Sequence, residues 1–163
     1  MAAVRRSLSR RNAVRIDVEA RCPSARTIIR TGAVLAARPV FVFQTLMTGA
    51  AEVPGPGDDD AIGHATVIVR PESDEICWVV SWNHIDPTVI AGPIHGPADI
   101  DEAIAPIVTF FMGVPHESTD TSRGCATGTG WADDIVADPT QFYVNIHSTP
   151  DFGPGAIRGQ LGS

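Results

Sequence analysis

The 163-residue chain carries 12 basic and 19 acidic residues, a net charge of −7, and is 44% hydrophobic with 15 glycines and 13 prolines. One core of ordinary domain size accounts for that length, and the density of turn formers argues against a helical bundle. No segment approaches the roughly 18 uninterrupted apolar residues of a membrane-spanning helix.

The charge is divided along the chain. Nine arginines precede residue 40 against only Asp17 and Glu19, whereas beyond it Arg70, Arg123 and Arg158 face seventeen carboxylates, and there is no lysine. Residues 1–40 therefore read as a basic, solvated and disordered leader or tail, and residues 41–163 as an acidic folded domain. A body with so few cations repels nucleic acid. The longest apolar candidate for an export signal, Thr31–Ala37, is bounded by Arg30 and Arg38 and falls short of a continuous hydrophobic region.

From Phe41 the pattern is one of short extended runs. Phe41, Phe43, Thr45 and Met47 alternate with Val42, Gln44 and Leu46 in a first strand. The segment Pro54-Gly-Pro-Gly-Asp-Asp-Asp60 breaks the ladder before a second strand, Gly63–Arg70. Pro71–Asp74 is a turn, and Glu75–Asn83 is a third strand, apolar on both faces and so central. Val89–His95 and Ala105–Met112 supply a fourth and a fifth, with an acidic loop or one helical turn over Ala98–Ala105. Val114–Gly130, rich in Ser, Thr, Asp and Gly, reads as loop; Trp131–Ala137 reads as a short helix ended by Asp138-Pro139. Gln141–His147 alternates clearly, and Ala156–Leu161 closes the domain. Six to eight such strands make an all-β sandwich or small barrel; an open α+β layer built on the 98 and 131 segments is the alternative.

Cys77 and Cys125 fall in the body and Cys22 in the tail. Spacing alone leaves the body pair as either one disulfide in an oxidising compartment or two buried thiols.

Three segments, Leu46-Met-Thr-Gly-Ala-Ala-Glu-Val-Pro54, Ile94-His-Gly-Pro-Ala98, and Phe142-Tyr-Val-Asn-Ile-His147 followed by Gly155-Ala-Ile-Arg-Gly-Gln-Leu161, together resemble the CHRD (chordin-type) domain over residues 41–161. The resemblance implies a Greek-key, immunoglobulin-like β-sandwich or barrel, distantly similar to copper/zinc superoxide dismutase. It also implies export to the cell surface or periplasm, and a disulfide between Cys77 and Cys125. Where the family often has His-x-His, this chain has Pro93-Ile-His95.

In the final strand Arg158 lies among apolar neighbours and needs a partner, for which Glu52 is the candidate in a structural clasp; anion binding is its functional rival. Of the five histidines, His95 and His147 occupy motif positions, with His64 and His84 at strand ends. If they converge they would hold copper or zinc; otherwise they bond backbone and pack in the sheet, with Asn145 ordering a nearby loop. The acidic clusters at 58–60, 99–102 and 133–134 fit solvated loops better than a calcium loop, and no nucleophile motif is present. The expectation is a non-enzymatic extracellular or periplasmic module that binds a protein or surface ligand without a cofactor. A histidine-ligated copper or zinc protein is the second reading, and a small-molecule barrel the third.

Overall fold

The structure is a computed structural model in which residues 5–9, 13–17 and 37–162 are described. It divides at Arg38 into two units. In the first, Arg5–Ser9 (β1) and Ala13–Asp17 (β2) pair antiparallel. Residues 31–36, most of the apolar export candidate, and Cys22 lie outside the described residues.

The second unit contains Phe41–Thr48 (β3), Ile62–Arg70 (β4), Glu75–Asn83 (β5), Thr88–His95 (β6), Pro106–His116 (β7), Asp120–Thr127 (β8), the helix Ala132–Ala137 (α1), Tyr143–Thr149 (β9) and Ile157–Gln160 (β10). Its eight strands form one antiparallel sheet in the order β7-β6-β9-β10-β3-β4-β5-β8. The end strands β7 and β8 touch, so the sheet is a nearly closed barrel. The chain is all-β, as its alternation indicates; the segment 98–105 carries no helix, and α1 is a six-residue cap.

Period-two alternation decides what lies inside. Met47, Val67, Val69, Ile76, Trp78, Val80, Trp82, Ile94, Val144, Ile146 and Ile157 form one buried cluster. Val42, Leu46, Ile62 and Val79, at the alternate positions of the same sheet, point outward and are exposed. Trp78 stacks on Phe110, with ring centroids 4.5 Å apart.

In the second unit the reading of Val114–Gly130 as loop is overturned: β7 runs on past Met112 to His116, and β8 follows it. Residues 120–127, read as loop from their Ser, Thr and Gly content, pair with β5 from Glu75↔Thr127 to Trp82↔Asp120. The partner supplies the reason. Gly124 lies against Trp78, where a Cβ would come 2.6 Å from the indole, so glycine admits the large ring beneath the strand. The outward side chains of β8 (Thr121, Arg123, Cys125 and Thr127) are exposed and carry no apolar signal.

Cys77 and Cys125 face each other in this ladder and form a disulfide across a sequence separation of 48. A loop of that length is worth about 4 kcal/mol in the chain-entropy account. Reduction, or Cys77→Ser with Cys125→Ser, is expected to lower stability by roughly that amount. Denaturant unfolding with and without reductant measures it, and coincident curves would contradict the assignment.

Candidate functional site

Alternation along β9 sends Val144 and Ile146 into the core and places Tyr143, Asn145 and His147 on the opposite side. Register brings His95 of β6 opposite Tyr143, and Arg158 of β10 opposite Asn145. The motif residues thus form a polar layer on one face of β6, β9 and β10. The segment 98–105 packs against it, through the hydrogen bonds of Arg158, Gln160, His95 and Tyr143.

Arg158 is 1% exposed. Its Nη1 donates to the carbonyl of Glu102 at 2.6 Å, and its Nη2 donates to the carbonyl of Asp99 at 3.2 Å and to Gln160 Oε1 at 3.1 Å. The guanidinium carbon lies 3.5 Å from the centre of the Tyr143 ring, a cation–π contact in a dry setting. Gln160 Nε2 donates to the carbonyls of Ala98 and Thr140. The last strand therefore holds the 98–105 segment through backbone carbonyls. Burial pushes the Arg158 pKa down, while Tyr143, Glu52 and Asp101 act in the other direction.

Glu52, the expected partner of Arg158, is also buried, and the two charges favour one another. The hydrogen bonds of the guanidinium nevertheless run to the 98–105 segment and to Gln160. Glu52 Oε2 instead accepts from Asn145 Nδ2 at 3.2 Å, which ties the segment after β3 to β9. Gly155 of the final motif lies against this carboxyl, in space a side chain would fill. Glu52 Oε1 and Asn145 Oδ1 are buried without a hydrogen-bond partner. Burial raises the Glu52 pKa to about 7, outweighing the opposing effects of Asn145 and Arg158.

His95 stacks on Tyr143, with centroids 4.7 Å apart and planes within 4°. Its Nδ1 lies 2.6 Å from the carbonyl of Ile104, and that carbonyl can only accept, so the proton sits on Nδ1. His95 Nε2 is left buried and unpartnered. His147 is built alike: its Nδ1 is 3.0 Å from the carbonyl of Gly153. The two imidazole centroids are 5.8 Å apart. Burial lowers the pKa of both rings, partly offset by those carbonyls, and for His95 the neighbouring His147 and Arg158 lower it further.

The remaining candidates lie elsewhere. His64 is exposed on the outer face of β4 opposite Leu46 and Ser81. His84 is an exposed turn residue with φ 61°, and His116 bonds Asp120 at 2.9 Å. Among the described residues no third histidine, cysteine or carboxylate ligand atom converges with His95 and His147. Asp58, read as a solvated loop residue, is buried, and its Oδ2 accepts from the Asp86 amide at 2.9 Å. Asp74, in the β4–β5 turn, accepts from Thr129 Oγ1 and from the amides of Gly130 and Ala132. Sequence reading missed it because its partners lie more than fifty residues away; the Gly130 amide above all holds its carboxyl below the usual range.

The segment held by Arg158 is acidic and apolar together. Asp99, Ile100 and Asp101 line a groove of about 490 Å³ with Thr140, Gln141, Gln160 and Leu161. Ile100 is 69% and Ile104 45% exposed.

The family model described as CHRD domain matches residues 43–161. No curated protein and no solved structure matches the chain.

Two stability outcomes follow from this geometry. Arg158→Ala is expected to destabilise the domain by about 2 to 4 kcal/mol, since it strands two carbonyls and a glutamine. An unchanged denaturation midpoint would contradict the anchoring role. Glu52 has a folded pKa above its unfolded one, so its contribution is fully present below about pH 4.5 and is lost as pH rises through about 7. Relative to Glu52→Gln, the native protein should lose about 3 kcal/mol across that window. Parallel pH dependences in the two proteins would contradict a buried, neutral Glu52.

Proposed function

The chain belongs to the CHRD domain family, and from that premise we propose that it is a non-enzymatic binding module of an oxidising, extracytoplasmic compartment. One observation supports the reading most directly: the polar groups of the family motif are engaged in holding loops. Arg158, Gln160, His95 and His147 bond the backbone carbonyls of residues 98, 99, 102, 104, 140 and 153. A rigid barrel that fixes loop backbone in this way is a scaffold for recognition by the loop's own side chains. The disulfide supports an oxidising compartment. The 98–105 segment, with Asp99, Asp101 and Glu102 around exposed Ile100 and Ile104, suits a partner segment bearing cationic and apolar side chains.

Calorimetric titration with short Arg/Leu-containing peptides tests this. Saturable binding that weakens with salt, and that falls about tenfold or more in Ile100→Ser and Asp101→Asn, is expected. Absence of saturable binding to any peptide of that composition would remove the loop as the recognition surface.

A second reading has its own observation. His95 and His147 each direct Nδ1 to a carbonyl, the arrangement that fixes a ligating imidazole, and His95 Nε2 is buried without a partner. Two imidazoles bound through Nε2 to one ion at about 2.0 Å stand with centroids roughly 5 to 6.5 Å apart, which includes the 5.8 Å found here. These two residues would hold copper or zinc, with water completing the coordination, since no third side-chain ligand converges among the described residues. Elemental analysis of chelator-free, tag-free protein decides it. Stoichiometric metal lost in both His95→Ala and His147→Ala supports the metal site, and metal-free protein that takes up neither ion on titration excludes it.

A further inference from the structure

Seventeen carboxylates lie beyond residue 40, against three arginines. A body charged in this way repels its own copies over most of its surface. The outer face of β3, β4, β5 and β8 is different. Its outward positions are Val42, Gln44, Leu46 and Thr48 on β3; Ile62, His64, Thr66, Ile68 and Arg70 on β4; Glu75, Cys77, Val79, Ser81 and Asn83 on β5; and Thr121, Arg123, Cys125 and Thr127 on β8. Across half the strands of the barrel this face carries one carboxylate. That residue, Glu75, sits at its end and is 3.4 Å from Arg70.

The same face leaves apolar side chains exposed along its length. Val42 is 57%, Leu46 51%, Ile62 40% and Val79 47% exposed. Between them lie uncharged hydrogen-bonding groups, Gln44, Thr66 and Ser81, and a shallow groove runs past Gln44, Leu46, His64 and Thr66. Several large apolar side chains left exposed on one face, interleaved with uncharged polar groups, mark a surface suited to contact. Here that surface is also where two acidic bodies can approach without opposing carboxylates.

We propose that this face is the contact surface for a second copy of the chain, packed sheet on sheet about a two-fold axis. Such a contact is isologous, the same residues serving both partners. Sheets packed face to face lie about 10 Å apart, near enough for Leu46, Ile62 and Val79 of one copy to interdigitate with those of the other. The charge pattern selects this occupant. The face offers three cationic side chains at most, His64, Arg70 and Arg123, too few for a polyanion, while its neutrality relieves the repulsion that a copy of this acidic body meets elsewhere. It is a separate surface from the 98–105 segment and does not depend on what that segment binds.

Sedimentation velocity on the full chain, from low to high micromolar concentration at moderate salt, tests it. A concentration-dependent monomer–dimer equilibrium is expected. Leu46→Glu and Val79→Glu, each placing a carboxylate on the face in both copies, should weaken it about tenfold or more. Ile100→Glu, on the acidic segment, should leave it unchanged. Thermal melts of the monomeric variants check that these exposed substitutions leave the fold intact. A single monomeric species at every concentration would overturn the proposal. So would a dimer that survives both face substitutions, or one that only Ile100→Glu disrupts.

Discussion

The domain turns on one buried cation. A guanidinium removed from water is expensive unless all its donors and its charge are met, and Arg158 is met by two carbonyls of the 98–105 segment, by Gln160 and by the face of Tyr143. Each contact organises something further. Tyr143, between β6 and β10 in the sheet, carries Arg158 and also stacks on His95. Gln160 reaches Ala98 and Thr140. Removing the cation therefore unsettles the segment, the ring stack and the neighbouring strand together, and double-mutant cycles are what apportion such a network among its pairs.

The strands were legible where apolar residues recur along a short run bounded by turn residues, most clearly where one face is apolar and the other polar. Phe142, Val144 and Ile146 against Tyr143, Asn145 and His147 is a pattern that only an extended chain can use. β8 was illegible for the converse reason: its outward residues are polar and it pairs through a glycine that accommodates Trp78. Its cysteine was a better signal than its hydrophobicity, because Cys125 sits opposite Cys77 in the ladder. Side-chain identity also showed that Arg158 needs a partner. It could not show that backbone carbonyls would serve, since every residue has one. The neighbouring carboxylate, Glu52, goes instead to Asn145. The nearness of His95 and His147 depends on β6 pairing with β9, a pairing between strands about fifty residues apart that no local spacing encodes.

Charge is distributed over this barrel by face. The acidic residues of the 98–105 segment lie against the polar layer, where Asp99 and Asp101 line a groove beside exposed Ile100. The outer face of β3, β4, β5 and β8 is nearly free of them. One barrel thus offers an acidic segment held by the side chains of the polar layer and a neutral β-face set by strand alternation.

Native-state hydrogen exchange on the wild-type chain and Arg158→Ala tests the anchoring of the 98–105 segment most directly. Three amides report on it: Ala98 bonded to the carbonyl of Gln141, Glu102 to that of Asp99, and Ile104 to the Tyr143 hydroxyl. If Arg158 holds the segment, these three lose protection in the variant under conditions where the β4–β5 ladder keeps its own. Unchanged protection of Ala98, Glu102 and Ile104 in a folded Arg158→Ala protein would show that the segment stays in place without the cation, and would contradict the account.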